Sequence, residues 1–277
     1  MLSKIILIIL SGVISLSNVA TPLKIVENLK PQISAKSALI YDINSQTISY
    51  SKNAYQKLPI ASLTKLMTIY IAIQEHDMQE LVELTQEHKS VGGSSANLQA
   101  NDSYYMQDLI HAMLLSSANE AAAAVAEHNS GSRKQFIKKM NLYAKNLGLK
   151  NTKFANPMGF DDIDNYSTAY DLAKFTKKLM QNDYIVDIAK KHTYKITSLK
   201  KKRSLLINTN KELENKLNLS GLKTGTTPDA GQCFIGISDG PKSVMTIVLN
   251  SKNRFLDTNS LLEYNSNKNF YDHSRSQ

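Results

Sequence analysis

The 277-residue sequence predicts a mixed α/β fold with an antiparallel central sheet built from both chain ends, flanked by helices, with a helical subdomain. Three observations indicate this. A strand-rich hairpin pattern stands near the N-terminus, helical periodicity fills the middle, and short strand-like segments separated by turn residues occupy the last third. With 42% hydrophobic residues, the chain can bury the core of one large domain or two small ones.

The elements follow from local patterns in chain order. The predicted hairpin consists of residues 37–42 and 47–50 around Asn44-Ser45. Ser116-Ser117 is expected to interrupt one helical region, and Gly148 to close the next. The predicted helices span residues 62–75, 106–127, 132–147, 168–180 and 254–264. The predicted later strands span residues 194–197, 204–207, 221–225, 233–237 and 244–249.

The first twenty residues have the pattern of a secretory signal peptide. A positive start at residues 1–4 precedes an apolar run over residues 5–16, and small residues then offer cleavage after Ser17 or Ala20. An uncleaved N-terminal anchor is the alternative. We therefore expect an exported protein with a signal peptide at 1–20, an irregular arm at 21–36, one large domain at 37–265 and a polar tail at 266–277.

Composition limits the classes of partner. Cys233 is the single cysteine, which excludes an intramolecular disulfide, and its apolar neighbours predict a buried strand. The net charge of +9 favours anionic partners such as membrane surfaces or acidic wall polymers. The densest cationic run is Lys200-Lys201-Lys202-Arg203, predicted as the tip of a hairpin. No aromatic residues interleave with it, so we predict no nucleic-acid partner.

A Ser-x-x-Lys spacing suits nucleophilic catalysis when both residues lie one turn apart on a helix. The lysine can then take the serine proton if burial lowers its pKa. The spacing occurs four times, at Ser49, Ser62, Ser198 and Ser220. Only Ser62/Lys65 stands at a plausible helix start, since strand positions three apart face opposite ways. An ordinary helix N-cap remains the alternative for this pair alone.

Two further motifs strengthen the catalytic interpretation. Ser117-Ala118-Asn119 places a hydroxyl and an amide inside an apolar helical region, where the alternative is a polar kink. Lys223-Thr224-Gly225 occurs once, on a predicted strand, and its lysine and threonine suit a substrate carboxylate. Gly225 would let a peptide backbone approach closely. A trio of this kind is typical of penicillin-binding proteins and class A β-lactamases, which have aspartate where this chain has Ala118.

With these motifs in order, the sequence resembles the D-alanyl-D-alanine carboxypeptidases, the low-molecular-mass penicillin-binding proteins. The resemblance covers residues 37–264 and implies a β-lactamase/transpeptidase-like fold, so residues 37–265 are expected to form a penicillin-binding D,D-peptidase domain. The segments that carry it are residues 37–42, 59–68, 113–122, 156–159, 167–173 and 221–225.

The resemblance implies a role for each motif residue. Ser62 would be the acylated nucleophile, Lys65 its base and Ser117 a proton relay, while Asn119 would bond the substrate peptide. Lys223 and Thr224 would bind the terminal carboxylate beside Gly225, and the backbone of Thr226 would complete an oxyanion hole with Ser62. Arg254 would support the carboxylate, with a surface ion pair as its alternative. Thr226 departs from the family, which usually has a histidine or bulky residue there; the departure bears on substrate preference, since the backbone donor is unaffected.

The implied partners are peptidoglycan stem peptides ending in D-Ala-D-Ala, with β-lactam antibiotics as acylating inhibitors, in the periplasm or at the outer face of the cytoplasmic membrane. A D,D-endopeptidase cutting cross-links is the nearest rival. A β-lactamase is less favoured, because no glutamate occurs between Glu127 and Glu212 to activate the deacylating water. A non-catalytic wall-binding protein is disfavoured by the intact motifs.

No cofactor or metal is predicted. The six histidines show no metal-ligand spacing such as His-x-x-x-His. The acidic loop of Asp161, Asp162 and Asp164 favours solvation and capping over cation binding.

Overall fold

A computed structural model describes residues 30–211, 219–238 and 243–274, with side chains described up to residue 267. The predicted signal peptide and residues 21–29 of the predicted arm lie outside these ranges. The chain divides into two compact units, Met1–Lys30 and Pro31–Gln277, and every element described belongs to the second.

The central sheet confirms that both chain ends build one antiparallel layer. Its strand order is β2-β1-β11-β10-β9, and β1 pairs directly with β11 so that Ser37 faces Leu249. Three two-stranded sheets, β3 with β6, β4 with β5 and β7 with β8, accompany it. The strands are β1 (Ser37–Asp42), β2 (Thr47–Lys52), β3 (Leu58–Pro59), β4 (Leu81–Leu84), β5 (Asp102–Tyr105), β6 (Tyr166–Ser167), β7 (Thr193–Thr197), β8 (Arg203–Ile207), β9 (Leu219–Thr227), β10 (Gly231–Ser238) and β11 (Val244–Ser251).

The helices cover both faces of this sheet. A short 3₁₀ helix, Ala61–Thr64, leads directly into α1. The α-helices are α1 (Lys65–Glu75), α2 (Gln86–Lys89), α3 (Met106–Leu115), α4 (Asn119–Ser130), α5 (Arg133–Asn146), α6 (Ala169–Leu179), α7 (Asp183–Ala189) and α8 (Arg254–Ser274). No helix within the described ranges is long and apolar enough to cross a membrane.

The two-residue period of the strands divides the core. On β11, Met245 and Ile247 face the large cluster that includes α1, α3 and α4, whereas Val244 and Val248 face a smaller cluster with Leu261 of α8. The alanines of α4 at positions 121–124 are fully buried, and α4 contacts α1, α3 and α5. Small side chains therefore allow α4 to pack closely against its neighbouring helices.

The structure corrects several predicted boundaries. Helix α8 continues to Ser274, ten residues beyond the predicted end, so part of the segment predicted as a polar tail is helical. The residues beyond 264 are mostly polar and carry no apolar stripe. The helix continues there because no glycine or proline interrupts residues 254–274. Helix α7 was not predicted because seven residues are too few for periodicity, although Asn182 caps it through the Tyr184 N–H.

Asp257 links the N-terminal edge of the domain to α8. Its buried carboxylate accepts hydrogen bonds from the backbone N–H groups of Ser34 and Ala35 and from the hydroxyls of Ser34 and Ser251, at 2.6–2.9 Å. Residues 34 and 35, predicted as part of an irregular arm, are thus fixed beside β11.

We predict that Asp257→Ala lowers the free energy of unfolding by about 3 kcal/mol, because several buried donors lose their acceptor together. Urea denaturation measures this change. Asp187→Ala, at an exposed position of α7, is the matched control and is expected to stay within about 0.5 kcal/mol of the wild type. Equal midpoints for both variants would contradict the linking role of Asp257.

Candidate active site

Ser62 lies in the 3₁₀ turn that precedes α1, and it does not cap that helix. The N-cap position of the 3₁₀ helix is Ile60, with no side-chain cap bond, and α1 begins at Lys65. The Lys65 amine donates hydrogen bonds to Ser62 Oγ at 2.8 Å and to the Met158 carbonyl at 2.7 Å. Ser62/Lys65 therefore has the serine–lysine contact that the catalytic interpretation requires, and the N-cap alternative is wrong.

The environment of Lys65 favours a neutral amine. Its side chain is fully buried, and burial, followed by repulsion from Lys223, lowers the pKa of Lys65 well below its usual value. Glu120 opposes this shift more weakly. This direction agrees with the sequence-based expectation that burial lowers the pKa of the lysine.

The break between α3 and α4 carries the Ser117-Ala118-Asn119 motif and brings Ser117 to the same cleft as Ser62. Ser117 has a positive φ of 58°, a left-handed conformation that redirects the chain between the two helices. The Asn119 side-chain amide donates to the Gly92 carbonyl at 2.8 Å, and its backbone N–H donates to the Ser94 carbonyl. One amide hydrogen of Asn119 is therefore committed to the loop at residues 92–95.

The Lys223-Thr224-Gly225 motif lies on β9, directly beside the Ser62 turn. A Cβ added at Gly225 would stand 2.9 Å from Ser62 N, so only glycine permits this approach without displacement. Thr224 Oγ1 lies 2.7 Å from Thr209 Oγ1. Lys223 is buried, and burial together with the nearby Arg254 lowers its pKa to about 7.

Arg254 lies at the start of α8 and binds the backbone of the sheet. Its guanidinium donates to the carbonyls of Gly225 at 2.8 Å and Cys233 at 3.0 Å, and also to the Thr226 hydroxyl. It forms no ion pair within the described residues, so the surface ion-pair alternative is not observed. Cys233 is buried on β10 as predicted, and burial raises the pKa of its thiol to about 11.

A loop at residues 156–160 holds the Ser62 turn from the other side. Asn156 Oδ1 accepts from the backbone N–H groups of Met158, Gly159 and Phe160, which fixes the loop. Gly159 has a φ of 96°, and a Cβ there would stand 2.0 Å from the Ala61 carbonyl oxygen. The same loop supplies the Met158 carbonyl that accepts from Lys65.

These elements enclose a cleft of about 440 Å³. Six of the nine predicted residues line it, namely Ser62, Ser117, Thr224, Gly225, Thr226 and Arg254. Lys65, Asn119 and Lys223 are instead buried. The lining also includes residues that the sequence analysis missed: Ser94, Thr209, Lys211, Gln232, Asn253 and Phe255. Ser94 lies directly after Gly92-Gly93, a pair typical of loops, but nothing in the sequence placed Thr209 beside Thr224.

The charge of the cleft suits an anion. Lys211 and Arg254 line it, and no acidic side chain does so within the described part of the chain. The aspartates of the 161–164 loop serve other partners, since Asp161 accepts from Thr227 and Asp164 pairs with Lys153 at 2.8 Å. They provide capping and an ion pair outside the cleft.

One histidine–carboxylate cluster lies away from the cleft. His76 Nδ1 and His128 Nε2 each lie 2.7 Å from a different oxygen of Glu80. The Asn129 amide nitrogen lies 2.8 Å from His76 Nε2, which places the His76 proton on Nδ1. In this arrangement Nδ1 donates to Glu80. The sequence shows His76 and Glu80 four residues apart, but it does not show that His128, 48 positions from Glu80, completes the cluster.

We predict that Gly159→Ala lowers the rate at which a fluorescent penicillin acylates the protein by about a hundredfold, because a shift of about 1 Å in the Ser62 turn misaligns the serine that the family resemblance implies is the nucleophile. Gly131→Ala is the matched control, since Gly131 also has a positive φ, of 72°, but nothing within 4 Å of an added Cβ. Gel fluorescence measures both rates. Equal rates for the two variants would show that Gly159 does not position Ser62.

Comparison with known proteins agrees with this geometry. The chain matches the family described as D-alanyl-D-alanine carboxypeptidase over residues 24–253. It is 34% identical over 205 residues to DacF of Bacillus subtilis, covering 72% of this chain and 53% of that protein. It is 31% identical over 252 residues to DacC of Escherichia coli, covering 84% and 62%. The chain thus spans between about half and two thirds of the length of these relatives.

Solved structures agree with the sequence comparisons. The Streptomyces K15 DD-transpeptidase superposes with a TM-score of 0.80 at 27% identity, covering 85% of this chain and 98% of that one. Penicillin-binding protein D2 from Listeria monocytogenes, in its ampicillin-bound form, superposes with a TM-score of 0.75 at 33% identity, covering 85% and 98%. The fold prediction is confirmed, and the chain belongs to the D-alanyl-D-alanine carboxypeptidase family.

Proposed function

We propose that the protein is a serine D,D-carboxypeptidase that removes the terminal D-alanine from peptidoglycan stem peptides through an acyl-enzyme on Ser62. The observation that carries this proposal is the 2.8 Å contact between Ser62 Oγ and the buried Lys65 amine, at the wall of a cleft lined by cations. Membership of the family supports the reaction class.

In the proposed acylation, the neutral Lys65 amine takes the Ser62 proton while Oγ attacks the carbonyl carbon of the penultimate D-alanine. A neutral amine has one lone pair, so the Lys65–Ser62 contact can reverse and accept the hydroxyl proton. The oxyanion lies between the backbone N–H groups of Ser62 and Thr226. Ser117 relays the proton to the leaving D-alanine nitrogen as the C–N bond breaks. Water then hydrolyses the ester and restores Ser62.

Substrate binding is assigned to the cationic side of the cleft. Lys223 and Thr224 bind the terminal carboxylate, supported by Arg254, which also holds the β9 backbone through Gly225. Gly225 leaves room for the substrate backbone beside Ser62. The amide oxygen of Asn119 makes no hydrogen bond within the described residues and is assigned to the substrate peptide N–H. β-Lactams would enter the same cleft and acylate Ser62.

We also propose export to the periplasm or the outer face of the cytoplasmic membrane, where the stem peptides are found. The N-terminal pattern of residues 1–20 supports this location, as does the cell-wall chemistry of the family. The net charge of +9 suits contact with an anionic membrane surface or wall polymer.

A D,D-endopeptidase is the second candidate. Relatives at 32% identity in Escherichia coli and 30% in Pseudomonas aeruginosa are named D-alanyl-D-alanine endopeptidase. The two activities share the catalytic residues and differ in the leaving group, which is free D-alanine in one and a cross-linked peptide in the other. Mass analysis after incubation with a stem pentapeptide and with a cross-linked dimer distinguishes them. Preferential release of D-alanine supports the carboxypeptidase, and preferential cleavage of the dimer supports the endopeptidase.

We predict that a fluorescent penicillin labels the wild type in a stable 1:1 acyl-enzyme and that Ser62→Ala abolishes labelling, because Ser62 is the hydroxyl that contacts the Lys65 amine. Ser49→Ala is the matched control, from a Ser-x-x-Lys pair on a strand, and should label normally. An unlabelled wild type, or a labelled Ser62→Ala, would refute the assignment of the nucleophile. Rapid turnover of the penicillin would instead indicate a β-lactamase.

A further inference from the structure

The β7–β8 hairpin has one buried face and one exposed face. Ile196 and Leu206 face the core and are buried. The opposite face carries the cross-strand pairs at 193 with 207, 195 with 205 and 197 with 203. We name this the outer face, consisting of Thr193, Lys195, Thr197, Arg203, Leu205 and Ile207, all of which are exposed.

The outer face and the adjoining turn expose aliphatic side chains. Leu205 is 54% exposed, Ile207 is 62% exposed, and Leu199 in the turn is 48% exposed. These are three of the ten exposed large hydrophobic side chains in the described part of the chain. A single exposed aliphatic side chain is ordinary, but three on one short hairpin form a local apolar surface.

Cations interleave with these aliphatic side chains. Lys195 lies directly opposite Leu205, Arg203 comes after the turn, and Lys200, Lys201 and Lys202 form the turn itself. No acidic residue occurs in residues 193–207. Within the described residues, Lys195, Lys201, Lys202 and Arg203 form no ion pair, so their charges are available to an external anion.

The hairpin is held in place at both ends. At the turn, the Leu199 N–H donates to the Ser103 carbonyl and the Lys200 amine donates to the Asn101 carbonyl at 2.6 Å. At the base, Ser116 Oγ exchanges hydrogen bonds with the backbone N–H and carbonyl of Ile207. The patch is therefore preformed, and it is rigidly connected to the α3–α4 break that carries Ser117.

We propose that the outer face and its turn bind the surface of an anionic phospholipid membrane. The cations face lipid phosphates, and Leu199, Leu205 and Ile207 enter the interface, a combination typical of peripheral membrane attachment. A wall polyanion would use only the charges and would leave the aliphatic side chains in water, so the interleaved pattern favours lipid. This inference rests on the proposed location outside the cytoplasmic membrane and not on the catalytic assignments.

The test is co-sedimentation of the full chain with vesicles of phosphatidylglycerol and phosphatidylcholine, and with vesicles of phosphatidylcholine alone. The wild type should bind the anionic vesicles more strongly. Lys195→Gln/Lys202→Gln/Arg203→Gln should weaken that binding by about a hundredfold, at about fivefold per cation. The matched control, Lys134→Gln/Lys138→Gln/Lys145→Gln, removes the same charge from exposed positions of α5 and should bind like the wild type.

A second pair of variants tests the aliphatic contribution. Leu205→Ser/Ile207→Ser should weaken vesicle binding by about tenfold or more, through lost apolar burial. Leu142→Ser, at a position of α5 that is 55% exposed, should change nothing. Equal loss in both charge variants would overturn the proposal in favour of non-specific attraction. Unchanged binding by Leu205→Ser/Ile207→Ser would overturn it in favour of a wall polyanion.

Fluorescent penicillin labelling separates this inference from the proposed function. None of the substituted side chains belongs to the cleft, so all variants should label like the wild type. Absent labelling in the wild type would refute the catalytic proposal and leave the vesicle result interpretable. Normal labelling with no binding to anionic vesicles would refute the membrane surface alone.

Discussion

The arrangement of the site depends on one buried amine. Lys65 has no exposed surface, and a charged ammonium there would lose its hydration without gaining an acidic partner at hydrogen-bond distance. Its described hydrogen bonds go to a hydroxyl and a carbonyl, which a neutral amine also satisfies. Burial and the nearby Lys223 therefore lower the pKa of Lys65, which favours the neutral amine that the proposed base role requires.

Burying these lysines lowers the free energy of unfolding at pH values below the ordinary lysine pKa. A lysine whose folded-state pKa is depressed binds fewer protons in the folded state than in the unfolded chain. Stability then rises with pH from the depressed pKa up to the usual value of 10.5. For Lys223 the window begins at about pH 7. The large core and linking contacts such as those of Asp257 compensate for this penalty.

Much of the fold was predictable because its patterns are local. The sheet strands and the helices α1, α3, α5 and α6 each have their own period, cap or terminating glycine. The prediction failed where the local signal is weak, as for the seven-residue α7, which has a cap residue but no periodicity, and for the extension of α8. Short helices without periodicity depend on tertiary contacts, which a single sequence does not display.

In the candidate site too, some features were predictable from local sequence and others were not. Ser62, Lys65 and Lys223 were predictable because residue type and spacing carry the chemistry. The contacts that hold them were not predictable, since Met158 lies 93 positions from Lys65 and Thr209 lies 15 positions from Thr224. Gly159 gave no sign in the sequence that it touches the Ser62 turn. Such contacts join residues that are distant in sequence, and they form only when the chain folds.

The central claim is that Lys65 acts as a neutral base whose pKa is lowered partly by Lys223. The most direct measurement is the pH dependence of the second-order rate constant for acylation by a β-lactam. We expect the acidic limb of the wild-type profile to lie well below pH 10. In Lys223→Gln it should move to higher pH, because the repulsion that lowers the Lys65 pKa is removed. Lys211→Gln, which removes an exposed lysine of the cleft, should leave the limb in place. A wild-type limb near pH 10, or an unshifted limb in Lys223→Gln, would contradict the account.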